Sequence, residues 1–220
     1  MRKLFFIVIA MLMPAFASAQ NVWEQDNKPK QKEQKAKKKA LFESSKQAKA
    51  KDAPYLKGAV PEVDGKVEFD TIYTVPGKSK EQIYNFIHQY LLNQTTEEGQ
   101  LDNLSKMVIE KPEEGTVAAR YSEWLVFKKS ALVLDQTRFN YNIIAICSDG
   151  KLEIRIKNLS YDYEEESTTQ HYSAEEWIAD KVAVNKKNTK LYPISGKFRR
   201  KTVDRVRYTF RTIDNELKAL

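Results

Sequence analysis

A single cysteine, Cys147, stands in a chain of 220 residues, so neither a disulfide framework nor a thiolate zinc cluster can form. Glycine is almost as scarce. There are 7, and the closest pair, Gly58 and Gly65, is seven positions apart. That spacing excludes G-x-G-x-x-G and G-x-x-x-x-G-K, the two common phosphate-cradling loops. His88 and His171 are the only histidines, and no H-E-x-x-H pattern or ligand-spaced carboxylate accompanies them, so no metal and no cofactor is expected. Long apolar runs are missing too. The stretch from Leu4 to Met13 would cover only ~15 Å, half a bilayer core. With 41% hydrophobic and 30% charged residues and a mean hydropathy of −0.61, the composition suits a soluble globular core and excludes a polytopic membrane protein.

The N-terminus carries an address. Arg2 and Lys3, the apolar run, and Ala17-Ser18-Ala19 form a secretory signal peptide over residues 1–19, with cleavage expected before Gln20. No cysteine follows that site, so no lipid anchor is expected. The mature chain should be periplasmic or secreted, without a transmembrane segment.

Residues 20–57 differ from the rest in composition. Between Lys28 and Lys57 there are 11 lysines against Glu33, Glu43 and Asp52, a net charge of +8, whereas residues 58–220 carry a net of −1. The basic balance therefore belongs to a Lys-rich flexible tether and not to the folded domain. Such a charge block solvates well, and it can also touch an anionic surface, where each lysine near charged lipid contributes ~1 kcal/mol. Nucleic-acid binding is disfavoured, because it wants positive charge on the folded surface.

Residues 58–220 read as one α+β domain. Val67, Phe69, Thr71, Tyr73 and Val75 alternate as a half-buried strand. Pro76-Gly77 turns the chain, and Ser79-x-x-Gln82 is a capping box. Ile83, Phe86, Ile87, Tyr90 and Leu91 then make one helical stripe, from which His88 is displaced. Four strands are expected next, over Lys106–Lys111, Thr116–Lys128, Ala131–Cys147 and Lys151–Tyr163. Their separators, Pro112–Gly115, Lys129-Ser130 and Ser148–Gly150, are of hairpin length. A β-bulge near Asn158 would bring Leu152, Ile154 and Ile156 onto the same face as Leu159, Tyr161 and Tyr163. After a polar loop, Ser173-x-x-Glu176 opens a short helix. A longer one carries Val203, Val206, Phe210, Ile213 and Leu217 at alternating spacings of three and four. The expected architecture is a single curved antiparallel β-sheet of about five strands, in β-α-β-β-β-β-α-α order, with the helices on one face.

Four segments also resemble a known family. They are the Val67-Glu68-Phe69 strand with its helix, Glu123-Trp124-Leu125-Val126-Phe127, Ala174-Glu175-Glu176-Trp177-Ile178, and Gly196-Lys197-Phe198-Arg199-Arg200-Lys201. Together they are similar to exported Gram-negative, Bacteroidota-type proteins of unknown function with a TATA-binding-protein-like (TBP-like) fold. The resemblance spans about Val63 to Leu220. It implies a fold and a compartment but supplies no catalytic residues, and function belongs to the site and not to the fold.

Several groups are candidates for a site. If Phe139, Tyr141 and Ile143 face the helices, the opposite face carries Gln136, Arg138, Asn140 and Asn142. The neighbouring strand adds Arg120, Ser122 and Trp124, and the next adds Glu153, Arg155 and Lys157. Arg120, Trp124, Arg138 and Asn140 are the candidate binding face, since exposed aromatics, arginines and amides make recognition surfaces; a plain solvated sheet face is the alternative. Arg200, Arg207 and Arg211 fall within about 40° of one another on the last helix. They form a candidate anion or partner stripe, with Asp204 placed to pair with Arg200 and Arg207. Asp162, Glu164, Glu165 and Glu166 read as a solvated acidic turn, and Cys147 as a buried small hydrophobe.

These observations point to a non-enzymatic interaction module of the bacterial envelope. An envelope protein or glycan is the expected partner, with the tether touching an anionic surface. The alternative is a periplasmic hydrolase or transferase with carboxylates that the sequence does not single out.

Overall fold

A computed structural model describes residues 51–97, 100–101, 103–129, 134–165 and 168–220, all within the compact unit Ala48–Leu220. The expected signal peptide, most of the tether, and Ser130 of the expected Lys129-Ser130 turn lie outside the described residues. None of the described helices is long and apolar enough to cross a membrane.

A small hairpin comes first. β1 (Glu62–Val63) and β2 (Lys66–Val67) pair through Asp64-Gly65, both at positive φ (50° and 74°), as the tightest hairpin turn requires. β3 (Phe69–Thr74) leads into α1 (Lys80–Gln94), whose Ser79–Gln82 capping box is fully formed. That box satisfies two otherwise orphaned donors. The sheet continues with β4 (Lys106–Lys111), β5 (Thr116–Lys129), β6 (Leu134–Ser148), β7 (Lys151–Glu165) and β8 (Thr168–Ser173). Two short helices, α2 (Ala174–Trp177) and α3 (Asp180–Ala183), precede the long α4 (Pro193–Leu217).

All pairings are antiparallel. The main sheet has six strands in the order β3-β7-β6-β5-β4, with β8 also on β7. The fold is α+β as expected, but the segment read as a polar loop contributes the extra strand β8. Thr168–Ser173 has no apolar alternation because four of its six residues are exposed and only Tyr172 packs against the core.

Strand alternation sorts the sheet's two faces. On β6, Thr137, Phe139, Tyr141, Ile143, Ala145 and Cys147 are buried in strict alternation. β7 keeps its apolar residues on that side only because Asn158, at φ 57°, is an extra residue opposite Tyr141, where the register shifts. The expected bulge is there, and Leu152, Ile154, Ile156, Leu159 and Tyr161 are all buried. α1 and α4 cover this face: Tyr121 donates to the Leu91 carbonyl at 2.8 Å, and Tyr73 to the Phe210 carbonyl at 2.8 Å. Cys147 is buried, and burial pushes its thiol up to about 12, which leaves little thiolate at neutral pH.

The folded body starts earlier than the expected boundary at Gly58. A 3-10 turn at Ala53–Tyr55 packs on α4, and Asp52 is buried, accepting from the Leu191 amide at 3.0 Å. Its anchor is Arg199, which has no exposed side-chain surface. This guanidinium donates to the carbonyls of Tyr55 (2.6 Å), Leu56 (2.8 Å) and Ile178 (2.5 Å) and to Asp180 Oδ1 (2.5 Å). Charge counting alone could not separate residues 52–57 from the lysine-rich chain before them.

Candidate functional site

The face of the sheet away from α1 and α4 carries the residues the alternation predicts. Successive registers align Trp124 with Arg138, Arg138 with Asp162, and Asp162 with His171. Four side chains thus stand in one row across β5, β6, β7 and β8, about 14 Å long at the usual strand spacing. The adjacent row is Ser122, Asn140 and Ser160.

Asp162 is the hub. Its Oδ2 accepts from Arg138 Nε at 2.8 Å, from Arg138 Nη2 at 2.6 Å and from Asn140 Nδ2 at 2.9 Å. His171 Nδ1 lies 2.7 Å from Oδ1. Burial alone would raise this carboxyl, but the hydrogen bonds from His171, Asn140 and Arg138 outweigh it and hold the group below its ordinary range. The reading of Asp162 as part of a solvated acidic turn is therefore corrected: its side chain is only 13% exposed. Of its former companions, Glu164 stays exposed at the groove edge, and Glu166 lies outside the described residues.

A depressed carboxyl stabilises the fold above its unfolded pKa, and that contribution is lost as pH falls through the folded value. Stability should therefore drop as pH goes below the ordinary 3.8. Asp162→Asn should remove part of that acid-limb slope when urea midpoints are compared across acid pH. An unchanged slope would show that the network does not depend on ionised Asp162.

Beside this row lies a groove of about 390 Å³ lined by Trp124, Leu134, Gln136, Arg138, Asp162 and Glu164. Trp124 is 42% exposed, so the indole belongs to the open face and not to the sheet–helix core. Asp135, also in the lining, is neutralised from below. Lys197 Nζ sits 2.9 and 2.8 Å from its two oxygens, and Tyr163 donates to it at 2.9 Å. Burial works against the Lys197 ammonium, yet Asp135 and Tyr163 raise it above the usual lysine value.

Of the four residues expected on this face, Trp124 and Arg138 line the groove, and Asn140 buttresses it through Asp162. Arg120 shares the face but not the groove. It stands opposite Asn142, four residues along β5, and its Nε donates to the Leu104 carbonyl at 3.3 Å.

The arginine stripe is corrected more sharply. Arg200 reaches Asp52 at 2.7 Å, and Arg207 donates to the Pro54 carbonyl at 2.9 Å with its guanidinium 5.7 Å from the Tyr55 ring. Asp204, expected to pair with both arginines, accepts from the Tyr55 hydroxyl at 2.8 Å. Two of the three arginines thus hold the chain's own 3-10 turn. Arg211 remains exposed, 6.0 Å from the Tyr208 ring. A second hollow, of about 350 Å³, lies among Tyr55, Phe127, Lys197, Arg200 and Asp204, and both Lys197 and Arg200 are already ion-paired.

Sequence reasoning missed Asp162 and His171 as partners. The signal was a symmetry: the antiparallel register that sets 165 opposite 168 also sets 162 opposite 171. Among the described residues, no group of three or more His, Cys, Asp or Glu side chains could hold a metal ion.

Residues 69–162 match the family described as a domain of unknown function (DUF4468) with TBP-like fold. The chain is similar to a solved DUF4468 family protein from Bacteroides ovatus, at 38% identity and a TM-score of 0.67, covering 76% of this chain and 94% of that one. It also shares its fold with a TBP-like protein from Parabacteroides distasonis, at 18% identity and a TM-score of 0.58, covering 73% and 97%. No curated protein matches the chain.

Proposed function

We propose that this chain, which belongs to the DUF4468 family of domains with a TBP-like fold, is an exported, non-enzymatic interaction module of the bacterial envelope. It acts through the open face of its sheet, and the leader over residues 1–19 delivers it to the periplasm or beyond. The observation that carries the reading is the exposed indole of Trp124 beside an arginine, Arg138, that Asp162 holds in place. Trp and Arg dominate binding hot spots, and a side chain already fixed by its neighbours loses less entropy on binding.

The hydrolase alternative draws less support from the same groove. A carboxylic acid that protonates a leaving group needs a raised pKa, whereas the described carboxyl groups with displaced titration, Glu81, Asp162 and Glu176, are all lowered. Asp162 also has both oxygens occupied by hydrogen-bond partners.

Trp124→Ala in the full chain should change stability by less than about 1 kcal/mol, as exposed positions do. It should also abolish capture of the partner from a solubilised envelope fraction, while Arg211→Ala leaves capture intact. Loss of capture with Arg211→Ala but not with Trp124→Ala would move the binding surface to α4.

A further inference from the structure

The groove's chemistry specifies more than a face. Its charges are largely cancelled from within: Asp162 is paired with Arg138 at 2.6 Å and Asp135 with Lys197 at 2.8 Å. Glu164 is the remaining charge in the lining. A polyanion would meet three carboxylates there and gain no uncommitted cation, since Arg138 already serves Asp162. A polycation would gain one uncommitted carboxylate, Glu164, and meet the Arg138 guanidinium. The site is therefore matched to a ligand that is polar but uncharged.

What remains is a hydrophobic plate with oriented polar groups around it. The indole of Trp124 offers a large flat apolar surface whose electron-rich face attracts weakly polarised C–H bonds. Around it stand an amide (Gln136), a guanidinium edge (Arg138), carboxylate oxygens (Asp162, Glu164) and a hydroxyl (Thr169). The lining holds both donors and acceptors, which suits hydroxyl groups that both donate and accept. The volume of about 390 Å³ falls at the lower end of the ~300–1,000 Å³ common for small-ligand sites. Among the described residues the groove is open, which suits a segment of a longer chain.

We propose that this groove binds a neutral glycan, with Trp124 stacking on a sugar ring and Gln136, Glu164 and Arg138, which Asp162 holds in place, engaging its hydroxyls. The inference rests on the open-face reading above and narrows its partner to uncharged carbohydrate.

The test is calorimetric titration of the full mature chain with cellotetraose, mannotetraose and chitotetraose at millimolar concentration, with tetralysine as the charged probe. At least one sugar should bind, with affinity that is insensitive to salt. Trp124→Ala should weaken it about tenfold or more, and Trp124→Phe should recover part of the loss, because a flat ring is restored. Circular dichroism should show both variants folded. Salt-sensitive binding of tetralysine in place of the sugars would overturn the proposal. If every sugar fails while Trp124→Ala still abolishes capture from the envelope fraction, the glycan assignment falls and the interaction reading stands. If capture also survives Trp124→Ala, both fall.

Discussion

Arg199→Ala should cost about 3–5 kcal/mol of folding stability, the expected range when one partner of a buried ion pair is removed. The loss would be read as a fall in the urea midpoint. The side chain is fully buried, and its four hydrogen bonds tie α4 to the end of the 3-10 turn, to Ile178 just after α2 and to Asp180 at the start of α3. Burial pulls the guanidinium pKa down while Asp180 opposes that shift. Truncation removes a donor from three carbonyls and from Asp180, of which the Leu56 carbonyl keeps the Ala59 amide and Asp180 keeps the Gly58 amide. Arg199→Lys should recover little, since one ammonium cannot serve a fork of acceptors. In the double variant with Asp180→Ala the losses should sum to less than the two single effects. A loss below about 1 kcal/mol would mean that residues 52–57 are not anchored as described.

Phe198→Ala should be comparably costly, about 3–5 kcal/mol, because a buried aromatic leaves a cavity its neighbours cannot fill. Phe198 has no exposed surface. Its ring centroid lies 4.6 Å from Phe127, 5.2 Å from both Tyr161 and Tyr163, and 5.6 Å from Trp177. These rings come from β5, β7 and α2, so one side chain joins the sheet to two helices. Thermal unfolding should shift down with its cooperativity retained. Phe198→Leu, which keeps most of the volume, should lose much less. Equal effects of the two replacements would show that the cluster is loosely packed.

The contrast between the strand patterns and Arg199 shows where the sequence was legible and where it was not. Patterns set by local chemistry could be read directly: the Ser79 capping box, the alternation of β6, and the bulge at Asn158 where two apolar parities meet. The open face followed from the same alternation, which is why Trp124 and Arg138 were found together. Arg199 was hidden by its own charge. It sits in a basic run, Lys197 to Lys201, that reads as surface. Yet 199, 203, 206, 210, 213 and 217 continue the seam of α4 at spacings of four and three. What buries it is the set of carbonyls opposite, brought there by segments more than a hundred residues away and just after α2. The same limit explains Arg200 and Arg207, whose partners in residues 52–55 belong to a stretch that charge assigned to the tether. β8 was missed because its residues bury little, and His171 was missed with it.

The central claim is that the open sheet face, and not the helical face, is the binding surface. Hydroxyl-radical footprinting of the full chain with and without a bacterial envelope fraction tests it most directly, because both faces carry exposed aromatic reporters. Trp124 is 42% exposed on one and Tyr208 is 47% exposed on the other. The account predicts protection of Trp124 with Tyr208 unchanged. Protection of Tyr208 while Trp124 stays fully reactive would contradict it.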